Sequence, residues 1–225
     1  MDCKYCRKPI IRNLTIVECL LPLAIYPEIC VECQKKFQRI DENCCPYCSR
    51  QQSTKMICSD CEKWAKLYPE YHFQHTALYQ YNQGMKEWIY RFKFLGDIQL
   101  ASTFSKELNK AIHKQKVDIV CPIPLSNKRK QERGYNQVEE ILKAAKVPYQ
   151  LLLSKRDDLS PQSEKTKEER LKMSQPFELS WTDKMTDCSI LIVDDVYTTG
   201  RTMLHAIDCF KELTRVKIKT FSLAR

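Results

Sequence analysis

Residues 189–202 read S-I-L-I-V-D-D-V-Y-T-T-G-R-T, and the predicted fold is built around this stretch. The apolar, β-branched run Ser189–Val193 is typical of a central strand that helices cover on both faces. It ends at two adjacent carboxylates, Asp194 and Asp195, and a helix-period pattern begins at Met203. This order of strand, acidic pair, polar turn and helix predicts an α/β fold.

The turn Thr198–Thr202 predicts a phosphate-binding site. Backbone N–H groups at a helix start, threonine hydroxyls and a glycine that permits close backbone approach together favour a phosphate. The two carboxylates before the turn can bind ribose hydroxyls or Mg²⁺. An ordinary Asx-type turn followed by an N-capped helix would use the same residue types and is the structural alternative.

The same stretch resembles the phosphoribosyl pyrophosphate (PRPP) loop of type I phosphoribosyltransferases, which reads four apolar residues, D-D/E, apolar, x, T-T-G-x-T. Two further stretches, R-F-K-F-L-G-D (91–97) and P-I-P-L-S-N-K-R-K-Q-E-R-G-Y-N-Q (122–137), and a cysteine-rich N-terminus resemble the ComF family of competence proteins. The resemblance implies an α/β type I phosphoribosyltransferase fold, a parallel sheet flanked by helices, with a small N-terminal zinc-binding domain. We expect a zinc-binding domain at 1–64, a linker at 65–75 and a phosphoribosyltransferase-type domain at 76–225.

The resemblance also implies which residues bind PRPP. The 5′-phosphate is assigned to Thr198, Thr199, Gly200, Arg201 and Thr202, and the ribose hydroxyls or Mg²⁺ to Asp194 and Asp195. Purine-salvage relatives carry an aspartate base where this chain has Thr198, so a purine acceptor is not expected. The acceptor and the catalytic residues remain unassigned.

The basic segment after the predicted strand Val117–Pro124 is similar to the pyrophosphate loop of these enzymes. Ser126, Arg129 and Arg133 are its expected ligands, because arginine binds phosphate oxygens in bidentate fashion. The basic start of a surface helix is the alternative.

The polar segment 154–177 resembles the mobile loop that closes over the active site in this fold. Gln162 and Arg170 match its pattern, and a disordered charged linker would read almost the same.

Eight of the thirteen cysteines form four C-x-x-C pairs: Cys3 and Cys6, Cys30 and Cys33, Cys45 and Cys48, Cys58 and Cys61. Two such pairs complete a tetrahedral structural site, so the four pairs predict two zinc ions. Pairing in sequence order closes shorter loops than a cross-brace and is favoured, although both remain open. Residues 45–61 have the pattern of a zinc ribbon. Redox dithiols are the rival interpretation, but no βαβ pattern accompanies the pairs.

The formal net charge of +9 is consistent with polyphosphate or nucleic-acid partners, although a solvated lysine surface gives the same value. The longest apolar segment, Leu14–Tyr26, contains Glu18 and is shorter than the roughly 20 residues of a membrane-spanning helix. The N-terminus M-D-C-K-Y-C has no export signal. We therefore expect a cytoplasmic protein.

The ComF resemblance implies a role in natural transformation at the inner face of the membrane, beside a DNA-translocating ATPase (a ComFA-like helicase). Three functions are open. The first is a PRPP- and Mg²⁺-binding protein that assists uptake or handling of single-stranded DNA. The second is an active transferase that moves ribose 5-phosphate to a non-purine acceptor. The third is a non-catalytic adaptor for single-stranded DNA with a remnant PRPP site.

One stretch of aromatic and basic residues is a candidate DNA contact. Its members are Tyr79, Tyr81, Trp88, Tyr90 and Phe92, interleaved with Lys86, Arg91 and Lys93. Such a mixture can stack bases and contact phosphates. A helix core with a charged edge gives the same pattern and is the alternative.

Further elements follow from periodicity. Strands are predicted at 76–82, 117–124 and 147–153, and helices at 84–94, 100–113 and 138–145.

Overall fold

The computed structural model describes residues 2–11, 28–69, 74–156, 175–180, 187–213 and 215–225. In chain order its strands are β1 (His75–Tyr79), β2 (Ile119–Pro122), β3 (Leu153–Lys155), β4 (Phe177–Leu179), β5 (Ser189–Val196) and β6 (Lys217–Ala224). Its helices are α1 (Val31–Gln34), α2 (Ser59–Leu67), α3 (Gln83–Phe94), α4 (Ser105–His113), α5 (Asn127–Arg133), α6 (Gln137–Ala144) and α7 (Arg201–Asp208), and a 3₁₀ helix spans Ile98–Phe104.

Four strands form a parallel sheet in the order β1-β6-β5-β2. The strand β5 lies inside this sheet, and Ile190, Leu191 and Ile192 are fully buried. Successive side chains of a strand point to opposite faces, so burial of all three means that both faces are covered. Because the pairing is parallel, the carboxyl ends of all four strands lie along one edge.

Helix α3 packs by an apolar stripe. Met85, Trp88, Ile89 and Phe92 are buried at the i, i+3, i+4, i+7 spacing. The helix begins at Asn82, whose side chain accepts a hydrogen bond from the backbone N–H of Met85 at 3.0 Å. Lys86, Glu87 and Tyr90 on this helix are exposed, and Lys93 faces the site described below.

The cysteine-rich N-terminal region shares its core with the sheet domain. Cys3, Tyr5 and Phe37 belong to the same hydrophobic cluster as Trp88 and Phe104, and the Phe37 and Phe104 rings meet edge-on at 4.9 Å. The other four C-x-x-C cysteines of residues 45–61 lie in a second cluster that includes Tyr197. Helix α2 runs past residue 64, and the boundaries at 64 and 75 stay a prediction.

Most predicted elements are present with shifted ends, and two differ in kind. The predicted strand 147–153 is wrong, because only its last residue lies in a strand: β3 pairs antiparallel with β4 in a separate two-stranded sheet. The predicted helix 100–113 begins within the 3₁₀ helix and becomes α-helical at Ser105. In the described ranges, none of the helices has the length and apolar character needed to cross a membrane.

Candidate phosphoribosyl-binding site

A cavity of about 570 Å³ opens at the carboxyl edge of the parallel sheet. Its lining includes Asp194 and Asp195 of β5, Thr198 of the following turn, Thr202 of α7 and Arg129 of α5. In open α/β sheets, ligands bind outside the carboxyl ends of the strands. The fold therefore brings the predicted acidic pair, phosphate turn and pyrophosphate segment to one cavity.

Asp195 is held by a lysine from the neighbouring helix α3. The Lys93 ammonium lies 2.7 Å from Asp195 Oδ2, and the two side chains are 20% and 6% exposed. A carboxylate this deeply buried requires a partner charge. Lys93 supplies it.

Asp194 also lines the cavity, but the Lys93 ion pair is made with Asp195 and not with this carboxyl. Burial, together with the charge of Asp195, raises the pKa of Asp194 to about 7, while Lys93 acts in the opposite direction. One of its oxygens accepts the backbone N–H of Asp195 at 2.8 Å. A cation or a set of hydroxyl donors in the cavity would favour the ionised form of this carboxyl.

The turn 197–200 is shaped by a glycine in the left-handed region. Gly200 has φ +85° and precedes α7. A Cβ at this position would collide with the Tyr197 hydroxyl, so only glycine fits both the backbone angle and the space. The Thr199 hydroxyl accepts the backbone N–H of Arg201 at 3.4 Å.

Part of the cavity wall is basic. Arg129 and Arg133 of α5, Lys93 of α3 and Lys155 of β3 all line it. Burial lowers the pKa of Lys155, and the nearby Arg129 lowers it further; burial also lowers the pKa of Arg133. For Lys155 and Arg133, nearby carboxylates do not fully offset this effect of burial, and a polyanionic ligand stabilises cations in such a position.

The segment between β2 and α6 is fixed by two caps. Ser126 precedes α5, and its hydroxyl accepts the backbone N–H of Arg129 at 3.4 Å. Asn136 is buried, accepts the N–H of Val138 at 2.9 Å and donates to the carbonyl of Ile123 at 3.0 Å. The caps hold the start of each helix and so set the direction of the arginines.

The eight paired cysteines form two compact clusters. Cys3, Cys6, Cys30 and Cys33 make the first cluster, and Cys45, Cys48, Cys58 and Cys61 make the second, with all ligand atoms of each within 4.8 Å of one another. This is the grouping in sequence order. The sulfurs of Cys48 and Cys58 are 3.6 Å apart and those of Cys6 and Cys30 are 3.8 Å apart. Four thiolates around Zn²⁺ at about 2.3 Å require S–S separations of about 3.8 Å, so both clusters fit a tetrahedral zinc site.

The chain is similar to known proteins over its whole length. The model of the phosphoribosyl transferase domain family matches residues 99–225. Competence protein ComFC of Streptococcus pneumoniae is 36% identical over 226 residues and aligns over the whole of both chains. The chain belongs to the ComFC family of competence proteins.

A second ComFC, from Bacillus subtilis, is 32% identical over 204 residues, covering 88% of this chain and 84% of the relative. Among solved structures, a hypoxanthine phosphoribosyltransferase from Staphylococcus aureus is 15% identical, covers 53% of this chain and 61% of its own, and has a TM-score of 0.31. Family membership confirms the predicted type I phosphoribosyltransferase fold with an N-terminal cysteine-rich region.

In this ComFC family member, several predicted site residues do not line the cavity. Ser126 uses its hydroxyl as a cap, and Thr199 lines a smaller cavity of about 260 Å³ beside Trp64. Gln162 and Arg170 lie outside the described residues. Gly200 and Arg201 contribute the start of α7 rather than cavity wall.

The aromatic and basic stripe is mostly core in this ComFC family member. Tyr79, Trp88 and Phe92 are buried, whereas Tyr81 and Tyr90 are exposed. The buried rings cannot stack on bases. The alternative interpretation of the stripe, a helix core with a charged edge, is correct for Trp88 and Phe92 of α3, and Tyr79 is buried in β1.

Two basic residues that line the cavity, Lys93 and Lys155, were not predicted as site residues from the sequence. Lys93 lies within the quoted R-F-K-F-L-G-D motif, and that motif is the signal that could have placed it at the site. Lys155 is one cation in a long polar segment and carries no comparable signal.

Proposed function

We propose that this competence protein binds PRPP with Mg²⁺ and assists the handling of single-stranded transforming DNA in the cytoplasm. One observation carries the PRPP part: a single cavity brings the acidic pair, the threonine turn and two arginines together at the carboxyl edge of a parallel sheet. The turn Thr198–Thr202 would hold the 5′-phosphate. Arg129 and Arg133, next to Ser126, would hold the pyrophosphate.

Mg²⁺ fits the acidic side of the cavity. Mg²⁺ prefers carboxylate and phosphate oxygens, so Asp194, Asp195 and the phosphates of PRPP form a suitable ligand set. When bound, the ion would neutralise charge on the pyrophosphate. Lys93 already compensates Asp195, which leaves Asp194 as the carboxyl whose charge changes most when ligand binds.

The test is calorimetric titration of PRPP with Mg²⁺ into wild type and into the double variant Asp194→Asn/Asp195→Asn. Amides keep size and most hydrogen bonding but remove the negative charge, so we expect binding to be lost in a folded protein. Asp187→Asn, which changes an exposed carboxylate away from the cavity, is the control. If the double variant still binds PRPP, the placing of the loop is mistaken.

The same titration has an expected pH dependence. The pKa of Asp194 is raised to about 7, so this carboxyl is ionised above pH 7 and protonated below it. If ionised Asp194 binds the ligand, affinity falls by about tenfold for each pH unit below 7. A flat profile between pH 6 and 8 would exclude Asp194 as a charged ligand.

Transfer of ribose 5-phosphate to a non-purine acceptor is a second candidate function. The observation that favours it is the apolar part of the cavity, where Ile89, Phe94 and Val138 lie beside the basic wall. The Arg133 guanidinium lies 5.9 Å from the centre of the Phe94 ring. Release of pyrophosphate from PRPP, measured with a panel of candidate acceptors, separates an enzyme from a binding protein with a remnant site.

A basic groove supports the DNA part of the proposal. Lys106 and Lys110 of α4 and Lys114 directly after it recur at four-residue spacing, and Arg39 joins them along a groove of about 450 Å³. Such a row matches the charge of a nucleic-acid backbone. Glu107 is the acidic residue of this groove and pairs with Arg39 at 3.4 Å.

The groove is tested by salt-dependent binding of an oligothymidylate. Removing two phosphate contacts with Lys110→Gln/Lys114→Gln should lower the slope of log K against log salt by about 1.4, because each contact on a single strand contributes about 0.7. Lys143→Gln/Lys146→Gln is a control with the same loss of charge. Equal slopes in all three proteins would place the DNA elsewhere.

If transformation persists in a folded Asp194→Asn/Asp195→Asn variant that no longer binds PRPP, the adaptor function with a remnant PRPP site is favoured.

Two zinc ions and an ATPase partner complete the proposal. Metal analysis should give about two Zn²⁺ per chain, and chelation should unfold the cysteine-rich region, because metal binding supplies the folding free energy of such small units. Disulfide-paired cysteines without metal would contradict this.

We place the contact with the DNA-translocating ATPase, and so recruitment to the inner face of the membrane, on residues 1–64. Met56 and Val31 are exposed apolar residues there. Met56→Glu and Val31→Glu should weaken capture of a purified ComFA-like ATPase, and Leu151→Glu, at an exposed apolar residue of the sheet domain, should not.

A further inference from the structure

Two side chains from outside the phosphate turn hold two of its consecutive carbonyls. The Trp64 indole N–H donates to the Thr199 carbonyl at 2.7 Å, and the Arg225 guanidinium donates to the Thr198 carbonyl at 2.7 Å. In a trans peptide the C=O and N–H groups point in opposite directions. Fixing these carbonyls therefore fixes the N–H groups of Thr199 and Gly200 on the other side of the chain.

Both donors are attached to the second cysteine cluster. Trp64 lies one helical turn after Cys61 on α2, and Cys58 immediately precedes that helix. Arg225 follows β6, and its second terminal nitrogen lies 3.5 Å from Cys48 Sγ and 3.9 Å from Asp60 Oδ2. The guanidinium thus spans the distance from a cluster sulfur to the phosphate turn.

On the Arg225 side, the contact is buried and stacked. The Arg225 side chain is 7% exposed, and its guanidinium carbon lies 4.8 Å from the centre of the Tyr197 ring. The other neighbour of Tyr197 is the His75 ring at 4.2 Å, and the Tyr197 hydroxyl closes against Gly200. Because packed side chains of this kind are not free to shift, a change at the cluster is transmitted to the turn.

We infer that Trp64 and Arg225 are positioning residues that couple the second cysteine cluster to the phosphate turn, so that metal binding there holds the turn in its anion-binding conformation. The cluster fits zinc by its four sulfurs, and zinc-bound thiolates attract a guanidinium donor strongly. The first cluster has a different neighbour: Arg7 pairs with Asp97 at 2.6 Å, and Arg91 contacts the Tyr5 carbonyl at 3.2 Å. These contacts hold the two ends of the 91–97 motif, at the end of α3, and do not involve the turn. The identity of the anion rests on the proposed function, whereas the coupling does not.

The experiment measures hydrogen–deuterium exchange in peptides that contain residues 198–202, using the full zinc-loaded chain without ligand. Trp64→Phe removes the indole N–H and keeps a smaller aromatic ring at this position. Arg225→Lys keeps the charge but offers a single ammonium group, which cannot contact both Cys48 and Thr198. Each change should raise exchange in the turn by about tenfold, the effect of one lost hydrogen bond, at unchanged zinc content.

Trp88→Phe is the matched control. It also deletes an indole N–H, which donates to the Thr103 hydroxyl at 3.0 Å and lies away from the turn. Exchange at 198–202 should stay at the wild-type rate in this variant. Removal of zinc should raise exchange in the wild-type turn and add no further increase in a Trp64→Phe/Arg225→Lys double variant.

Wild-type exchange in the turn of both single variants, at normal zinc content, would overturn the coupling. So would a double variant whose turn still responds to chelation by the wild-type factor. PRPP titration of wild type is the separate arm. If the variants show faster exchange but wild type does not bind PRPP, the proposed ligand is refuted and the coupling stands. If wild type binds PRPP but exchange in the variants is unchanged, the coupling is refuted and the proposed ligand stands.

Discussion

Breaking the ion pair between Lys93 and Asp195 should cost far more stability than breaking a surface pair of the same length. The two side chains are 20% and 6% exposed, with an N–O distance of 2.7 Å. Removing one partner of a buried pair leaves an uncompensated charge and costs about 3–5 kcal/mol. Because a fifth of the lysine remains in contact with solvent, we expect Lys93→Met to destabilise the fold by about 3 kcal/mol, the lower end of that range.

The double variant Lys93→Met/Asp195→Asn measures the interaction energy between the two side chains, apart from their contacts with other residues. Asp195→Asn removes the buried charge, so the double variant should recover about 2 kcal/mol relative to the sum of the single changes. Asp195→Asn also removes the largest charge that raises the pKa of Asp194. Urea denaturation of zinc-loaded protein at pH 7.5 gives each free energy of unfolding.

The control is the pair of Glu140 and Lys143 on α6. Its N–O distance is also 2.7 Å, but the lysine side chain is 55% exposed. Its coupling energy should be about 0.3–0.5 kcal/mol, as for other solvent-exposed helix pairs. A coupling energy of Lys93 and Asp195 no larger than that of the control would refute the argument that Lys93 compensates a desolvated carboxylate.

Two further predictions concern the layer beneath the phosphate turn. Burial lowers the pKa of His75 to about 3, from an ordinary value of 6.5. Below pH 6.5, unfolding therefore takes up a proton. The stability that neutral His75 contributes is complete above about pH 6.5 and is lost as the pH falls toward 3. Between pH 7.5 and 5.5 this costs about 1.4 kcal/mol, a loss that should disappear in His75→Gln and persist in His113→Gln when urea unfolding is measured at both pH values. Gly200→Ala should destabilise the protein and weaken PRPP binding more than Gly96→Ala, since both glycines have positive φ but a Cβ at Gly96 meets nothing within 4 Å; equal effects of the two changes would mean that the contact with Tyr197 does not matter.

Local patterns in the sequence determined the parts of this protein whose structure depends on local physics. The run Ser189–Val193 forms the buried strand because its apolar, β-branched side chains suit a surface covered on both faces. The turn that follows requires Gly200 for its backbone angle, and the C-x-x-C spacing brings two sulfurs of one turn toward one ion. Family membership confirms the fold class predicted from these motifs, while the roles assigned to individual PRPP-binding residues remain predictions.

Strand assignment depended on partners that a local pattern does not contain. No element was predicted after the helix that begins at Met203, yet β6 lies between β1 and β5 and pairs with both. The apolar segment 147–153 suggested a further strand of the main sheet. In the structure the sheet ends at β2, which pairs with β5, and no strand from this segment joins it. Residues 153–155 pair instead with β4, more than twenty positions later.

The connections between motifs were decided only by the tertiary structure. Lys93 and Asp195 are about a hundred residues apart in sequence, Trp64 and Thr199 are 135 apart, and Arg225 and Cys48 are 177 apart. In the sequence, Lys93 is an ordinary helix cation, Trp64 an aromatic residue after a cysteine pair, and Arg225 an arginine after a strand. Their function at the site arises because parallel strands end at one edge and the cysteine-rich region packs against that edge, and such long-range packing leaves no periodic signal in the chain.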